Sequence, residues 1–227
     1  RITGEKNRIC KALACTALAC GLLAGCVDQS GGASGQTGDG SGNPAESVQT
    51  LLEITDPEEK AAVEAAKAKV AAMEGEPRII ATSPAVAEIC DRLELDLVGV
   101  CSSSISNLPE RYAEVEEVGT SMSPDMEVVA SLDPDWILSP ASLQSDLQPK
   151  YEAIDTDWAF LNLRSVPGMY RSIQELGEIF GREEQAREMA DEFTEFYEDY
   201  STRNEGRESP KVLILMGLPG SYIIATE

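Results

Sequence analysis

Short apolar runs and amphipathic segments alternate along the chain from residue 77 to residue 163. The apolar runs are rich in β-branched and aromatic residues, which favours buried strands, and they are RIIAT (78–82), LVGV (97–100), DWIL (135–138) and WAFLNL (158–163). Between them, apolar residues recur at helical spacing, as in Val86, Ile89, Cys90 and Leu93 and again in Val128, Val129 and Leu132. Strands that alternate with helices are typical of parallel sheets, so we predict a Rossmann-like α/β lobe over 77–166.

The segment after this lobe has a helical pattern. It carries two apolar stripes, which are Ile173, Leu176, Ile179 and Phe180, then Ala186, Met189, Phe193, Phe196 and Tyr200. We predict a long connecting helix over 167–205, with a break or tight bend at Gly181. The apolar runs KVLILMG and YIIATE then predict that 210–227 begin a second α/β lobe, which the chain leaves truncated at Glu227.

Two segments of different amino-acid composition precede the lobe. Residues 56–75 are Ala-rich, with Asp56 as a cap, Pro57 in the first turn and Gly75 as a stop, so they predict one helix. Residues 26–55 open with a Gly/Ser-rich stretch almost without apolar residues, which predicts a flexible tether.

Residues 1–25 have the layout of a bacterial secretory signal. Four basic residues precede an apolar run over 12–24, which is too short to span a membrane comfortably. The run ends in LAGC (23–26), which looks like a lipobox. The chain is therefore expected to be cleaved before Cys26 and anchored through lipid on that cysteine, at the extracytoplasmic face of the cell membrane. The alternative is an ordinary secreted protein with cysteines in its signal.

Charge and composition exclude several classes of function. The chain has 40 acidic and 18 basic residues and a net charge of −22, which argues against nucleic acid as a partner. It contains no histidine, so Ser/His and Cys/His catalytic pairs and the commonest metal ligand are missing. The GLPGS segment is too short for a phosphate loop. We therefore predict a protein that is not an enzyme; Cys90 and Cys101 can be free or paired.

Three predicted strand ends or loops finish in a Ser-Pro pair, at 83–84, 123–124 and 139–140. Ser is a good N-cap and Pro fits the first helical turn, so each pair predicts a helix start. Free amides at such starts can receive carboxylates, and the candidate ligand contacts are Ser83, Pro84, Ala85, Ser123 and Ser139. The alternative is that the serines only cap their own helices.

Met122 lies just before the second of these predicted helix starts, on a loop where packing does not obviously need it. A methionine in such a position either fills an apolar gap or presents its thioether to a ligand. The residues alone leave both interpretations open.

The order of these segments resembles the helical-backbone, class III substrate-binding proteins of bacterial ABC importers, which serve haem, siderophores and cobalamin. Within that class the chain is similar to the haem-binding lipoproteins of Gram-positive haem uptake. The resemblance covers about residues 77–227 and is carried by RIIATSPAVAEICDRLELDLVGV, LPERY, VGTSMSPDMEVVASLDPDWILS, LGEIFGREEQA and, most specifically, KVLILMGLPGSYIIATE.

The resemblance implies a role for Met122. In the haem-binding members, a methionine in a Gly-x-x-Met-x-Pro-x-x-x-Glu-like loop is one axial ligand of the haem iron, and Gly119, Met122, Pro124 and Glu127 approximate that loop. A thioether is a soft ligand that suits haem iron. The relatives take a second ligand from a histidine of the second lobe, which this chain lacks. Candidate ligand contacts there are Met216, Gly217 and Tyr222, and none of them is assigned to the iron.

The function implied is a surface-anchored protein that captures haem and delivers it to an ABC permease. Glu127 would dock on permease arginines, or else it is a solvated acid favoured by the helix dipole. Upstream surface proteins that relay haem are further implied partners, and the chain is expected to be a monomer. The alternatives are a siderophore or corrinoid binder, with Arg111, Tyr112 and Arg164 as cleft groups, and an acidic surface lipoprotein that acts through protein contacts.

Overall fold

This computed structural model describes residues 48, 50–104, 106–208, 215–218 and 221–224, and the main elements there are nine strands and six α-helices. The strands are β1 (Ile79–Ala81), β2 (Leu97–Val100), β3 (Glu116–Glu117), β4 (Gly119–Thr120), β5 (Ser123–Pro124), β6 (Trp136–Pro140), β7 (Asp157–Leu161), β8 (Leu215–Leu218) and β9 (Ser221–Ile224). The helices are α1 (Pro57–Ala71), α2 (Pro84–Arg92), α3 (Met126–Ser131), α4 (Gln144–Ala153), α5 (Val166–Phe180) and α6 (Glu183–Asn204).

A five-stranded sheet in the order β3-β2-β1-β6-β7 forms the centre of the lobe. Each neighbouring pair in it is parallel, which confirms the predicted α/β class. The four predicted apolar runs correspond to β1, β2, β6 and β7. Only β4 and β5 within the lobe's described residues pair antiparallel, as a hairpin of two residues in each strand.

The central strands are apolar on both sides because helices cover both faces of the sheet. On one face, Ile79, Ala81 and Leu138 pack with residues of α1, α2, α5 and α6. On the other face, Ile80 and Ile137 pack with residues of α3 and α4. This two-sided burial explains why the strands appear in the sequence as continuous apolar runs.

Helix α1 is part of the packed lobe. Oδ1 of Asp56 accepts from the amide of Glu58 at 2.7 Å and so caps the helix, as predicted. Val63 is buried against the main core, and Nζ of Lys69 donates to Oδ2 of Asp157 at 2.6 Å. The helix ends at Ala71, before the predicted stop, and Gly75 follows with φ of 103°.

The predicted tether extends too far toward the lobe. Residues 48 and 50–52 are helical, and Val48 and Leu52 are buried against Ala190 of α6. Ile54 is buried as well. The side chains of Val48, Leu52 and Ile54, within the 26–55 range, are therefore packed, whereas Leu51 is exposed. The predicted signal segment 1–25, Cys26 and residues 27–47 lie outside the described residues.

The predicted connecting helix is two helices. Helix α5 ends at Phe180 and α6 begins at Glu183, because Gly181 takes a left-handed conformation with φ of 66° and ends the first helix. Along α6 the predicted stripe is buried only at its beginning. Ala186 and Met189 are buried, whereas Phe196 and Tyr200 are exposed and stack on each other with ring centroids 6.3 Å apart.

The two strands after α6 form an antiparallel hairpin, in which Gly217 pairs with Tyr222. The predicted strand 211–217 and the segment YIIATE fall partly on described residues here, and the rest of 209–227 lies outside them. Among the helices in the described part of the chain, none is long and apolar enough to cross a membrane.

Candidate functional site

The chain reverses its winding direction between β1 and β6, in the middle of the sheet. From β1 it runs through α2 on one face to β2, whereas β6 lies on the other side of β1 and is preceded by α3 on the opposite face. The loops at the carboxyl ends of β1 and β6 therefore separate toward opposite faces. In open α/β sheets, ligands bind in the crevice outside such a switch point.

Backbone hydrogen bonds join the loops of this carboxyl edge into one row. The amide of Thr82 donates to Leu138 O at 3.0 Å, and that of Cys101 donates to Ala81 O at 2.9 Å. The amide of Ser102 donates to Gly119 O at 2.8 Å. The β4–β5 hairpin is thus connected, through the residues after β2, to the ends of β1 and β6 along one edge of the sheet.

Ser83 begins α2 as predicted. Its Oγ accepts from the amide of Val86 at 3.3 Å, and its carbonyl accepts from Ala87 at 2.9 Å. Pro84 takes the first helical position, and Ala85 is exposed. The buried Ser83 side chain is therefore occupied by the cap, while the exposed first turn at Ala85 remains accessible to a ligand.

Ser123 does not begin a helix, which corrects the prediction. It pairs with Thr120 in the β4–β5 hairpin, and the helix starts later, at Met126. Asp125 is the cap, because its Oδ1 accepts from the amides of Glu127 at 3.0 Å and Val128 at 3.2 Å. A carboxylate adjacent to the helix start is a better-placed acceptor than a hydroxyl that the hairpin holds in an extended strand.

Ser139 is not at a helix start either. It lies inside β6, fully buried, and its Oγ is 2.7 Å from Oγ1 of Thr82 and 2.9 Å from the hydroxyl of Tyr151. Helix α4 begins only at Gln144, after a short 3₁₀ turn. Ser139 therefore supports the site from below and does not reach a ligand.

Met122 occupies the two-residue turn between β4 and β5, and its side chain is 78% exposed. This exposure rules out the interpretation in which it fills an apolar gap. The hairpin depends on Gly119, whose φ is 88° and where a Cβ would lie 3.0 Å from Ser123 O and 3.1 Å from the amide nitrogen of Asp125. The fold therefore holds a free thioether at the carboxyl edge.

The remaining candidates are divided between the two edges of the sheet. Glu127 is exposed in the first turn of α3, and Arg164 is exposed beyond the carboxyl end of β7. Arg111 donates to Oδ1 of Asp96 at 2.7 Å, and the Tyr112 hydroxyl donates to Leu95 O at 2.7 Å. These acceptors precede β2, so Arg111 and Tyr112 belong to the opposite, amino edge of the sheet.

The second-lobe candidates are described only through their backbone pairing. Met216 pairs with Ile223, and Gly217 pairs with Tyr222. Their part in a ligand site stays a prediction.

The thiols offer no nucleophile at this edge. Cys90 and Cys101 are free and buried, and burial raises the pKa of Cys90 to about 12 and that of Cys101 to about 11. Among the described residues no cluster of three or more His, Cys, Asp or Glu side chains could hold a metal ion.

The roles of three residues at the site, Asp125, Thr82 and Tyr151, were not predicted from the sequence. Asp125 could have been found, because Asp before a first turn that contains Glu127 is a capping signal. Thr82 and Tyr151 left no comparable signal, since their contact with Ser139 depends on how α4 packs against the sheet.

Comparison with known proteins agrees with this geometry. The periplasmic binding protein family model matches residues 79–227. The high-affinity heme uptake system protein IsdE of Staphylococcus aureus is 38% identical over 154 residues, which cover 67% of this chain and 52% of that protein. The chain thus spans about half the length of the curated relatives it matches.

Solved structures show the same relationship. An ABC transporter substrate-binding protein from Listeria monocytogenes EGD-e superposes with a TM-score of 0.62 at 41% identity, over 67% of this chain and 58% of that one. Staphylococcus aureus IsdE complexed with heme gives a TM-score of 0.61 at 38% identity, over 67% and 59%. The siderophore binding protein BauB, at 20% identity and a TM-score of 0.58, shares the fold.

Substrate-binding proteins of ABC importers work outside the cytoplasm, where they deliver their ligands to membrane permeases. Because the family model matches residues 79–227 and the described lobe is a parallel sheet with helices on both faces, this chain belongs to the periplasmic binding protein family, the substrate-binding proteins of ABC transporters.

Proposed function

We propose that this protein captures haem at the carboxyl edge of its sheet and delivers it to an ABC permease, without enzymatic activity. The observation that carries the proposal is the exposed thioether of Met122, held on the β4–β5 hairpin at the carboxyl edge of the sheet. The similarity to IsdE, a relative whose structure contains heme, supports the same ligand.

The chemistry of the edge suits an iron porphyrin. A thioether coordinates haem iron well, and Met122 needs no rearrangement of the core to do so because its side chain is free. The first turn of α2, at Ala85, is a place where helix amides and the helix dipole favour a propionate carboxylate. Ser83 completes that turn through its cap and would act on the ligand only indirectly.

The test is a haem titration followed by the Soret band. Met122→Ala and Met122→Leu are expected to shift the band and speed haem release relative to the wild type, because each removes the axial sulfur. Met126→Ala is the matched control, since Met126 is a nearby, half-buried methionine on α3. Equal effects of the three substitutions would contradict ligation by Met122, and no spectral change with wild-type protein would contradict haem binding itself.

Free imidazole provides a second readout of the same site. The 227 residues contain no histidine, so added imidazole can test whether the position opposite Met122 accepts a nitrogen ligand. Added imidazole is expected to bind there and give a six-coordinate, low-spin spectrum in the wild type. In Met122→Ala the imidazole spectrum should instead be that of haem without a thioether. A wild-type spectrum indifferent to imidazole would mean that another group already fills the position.

Delivery to the permease is the second half of the proposal. Glu127 is exposed on α3 and free to contact a basic surface. Glu127→Arg is expected to leave haem binding unchanged and to abolish haem uptake in cells with the intact transporter. Glu114→Arg, an exposed acid before β3, is the control with the same change of charge. If both variants support normal uptake, Glu127 has only its local role in the helix.

We further propose that Cys26 carries the lipid anchor, on the strength of the LAGC segment. Cys26→Ser is then expected to release the protein from the membrane fraction into the medium, and retention of the variant in the membrane would contradict the anchor.

A ferric siderophore is the weaker alternative ligand. Two of its three proposed contacts, Arg111 and Tyr112, are engaged at the amino edge of the sheet, which leaves Arg164 at the carboxyl edge. Competition between haem and a ferric siderophore decides the point: displacement of haem at equal concentrations would favour the siderophore. A purely protein-binding surface role predicts no binding of either compound.

A further inference from the structure

Three buried hydroxyl groups form a chain directly below the carboxyl edge. Oγ1 of Thr82 lies 2.7 Å from Oγ of Ser139, and Oγ of Ser139 lies 2.9 Å from the hydroxyl of Tyr151. Thr82 and Ser139 are at the adjoining ends of β1 and β6, where the sheet changes direction. All three side chains are almost completely shielded from solvent.

The hydrogens of this chain run in one direction. Oγ1 of Thr82 lies 3.3 Å from Leu138 O, a carbonyl that can accept its single proton. In that arrangement Ser139 donates to Thr82 and Tyr151 donates to Ser139, so that each hydroxyl proton has an acceptor. Burial raises the pKa of Tyr151, so its hydroxyl keeps its proton at physiological pH. Every donor in the chain is therefore used, and the removal of any hydroxyl affects the next one.

The chain of hydroxyl groups connects elements on both faces of the sheet. Thr82 immediately precedes Ser83, the cap of α2, and α2 lies on one face. Tyr151 lies in the last turns of α4, on the other face, where its ring stacks on Phe160 at a centroid distance of 5.9 Å. Ser139 is the link between them. The chain thus ties together the two sides of the crevice, which otherwise diverge.

We propose that Thr82, Ser139 and Tyr151 are positioning residues of the ligand site: their hydroxyl chain holds the α2 start and the end of β6 in the arrangement that slows ligand release. This role rests on the proposed binding of haem at the same edge. None of the three side chains reaches the ligand; they act by fixing the backbone that does. If these hydroxyls had only a structural role, their removal would lower the stability of the fold without changing the rate of ligand release.

The amino edge of the sheet offers a matched control. Tyr112 is also a buried tyrosine, and its hydroxyl donates to a backbone carbonyl, Leu95 O, at 2.7 Å. Tyr151→Phe and Tyr112→Phe each delete one buried hydroxyl and its hydrogen bond, at opposite edges. They are expected to lower the unfolding midpoint by similar amounts, whereas only the substitution at the carboxyl edge should alter the ligand site.

The experiment measures haem dissociation into excess apomyoglobin by stopped flow. Tyr151→Phe is expected to speed release about five- to tenfold, the loss of roughly one hydrogen bond, and Tyr112→Phe to leave it unchanged. Thr82→Val should speed release as well, whereas Thr82→Ser, which keeps the hydroxyl, should preserve the wild-type rate. The double variant Thr82→Val, Tyr151→Phe should be no faster than the faster single variant, because one chain is broken in both.

The outcomes separate this role from the proposed function. Equal release rates for Tyr151→Phe, Tyr112→Phe and wild type would overturn the positioning role and leave haem binding standing. Equal acceleration by both tyrosine variants would also overturn it, because the effect would follow stability alone. Wild-type protein without a haem spectrum would remove the proposed function and the positioning role with it.

Discussion

The loop after β1 and the β4–β5 hairpin lie at the same edge of the sheet but are built in opposite ways. The first is fixed by buried side chains, since Thr82 bonds to Leu138 and Ser139 and the Ser83 hydroxyl caps α2. The second is shaped by the backbone: Gly119 allows the turn, and its tip, Met122, is exposed.

The two regions therefore have different tasks. The buried side chains after β1 fix the geometry of the edge, and the exposed hairpin carries the group that can bind a ligand. Buried polar groups must satisfy one another, so they hold a single arrangement and are costly to change. An exposed thioether makes few contacts and is free to bind an incoming ligand. A site assembled in this way can alter its ligand group without disturbing the fold, provided that the buried part stays intact.

The largest expected difference between the two regions comes from shortening one side chain in each. Leu138→Ala removes a fully buried side chain beside Thr82 and is expected to lower the free energy of unfolding by about 2–5 kcal/mol. Met122→Ala removes an exposed one and should change it by less than ~0.5 kcal/mol. Urea denaturation followed by circular dichroism measures both. A large loss for Met122→Ala would mean that the hairpin tip is packed against the protein.

The hairpin should nevertheless be sensitive at Gly119. Gly119→Ala forces a side chain into a left-handed conformation and against Ser123 O, so we expect a loss of about 2–4 kcal/mol in unfolding free energy. Gly181→Ala is the control, because its φ is also positive but a Cβ there meets no described atom within 4 Å. Its loss should be only about 1–2 kcal/mol. Equal losses, again in urea denaturation, would show that backbone strain alone matters at Gly119.

The smallest effect distinguishes the two candidate caps of α3. Asp125→Ala is expected to cost about 1 kcal/mol, because it leaves the amides of Glu127 and Val128 without their acceptor. Ser123→Ala, in the hairpin, should cost less than ~0.5 kcal/mol. Thermal unfolding by calorimetry resolves the difference, and the reverse order of the two losses would restore Ser123 as the cap.

Much of the lobe was predictable because its signals are local. The strands β1, β2, β6 and β7 follow from apolar runs, and the start of α2 follows from Ser83 and Pro84. The core positions of α2 and α5 follow from helical spacing, as Ile89 and Leu176 illustrate. Each of these features depends on neighbours in the chain, which a sequence displays directly.

Other features depend on contacts that no local pattern records. The same Ser-Pro pair begins a helix at 83–84, a hairpin strand at 123–124 and the end of a buried strand at 139–140, because the surroundings of each differ. Phe196 and Tyr200 keep helical spacing but lie exposed, since buried positions along α6 end at Thr194.

The sequence by itself determined the α/β class, the positions of the central strands and the presence of a methionine near the crevice. Only the tertiary structure decided that Met122 is exposed, that Asp125 caps α3, and that Tyr151 reaches Ser139 from the far face. The physical reason is the separation along the chain over which each interaction acts. Strand propensity and capping act between adjacent residues, whereas exposure and buried hydrogen bonds arise where distant segments meet, and there the packing of the whole sheet decides.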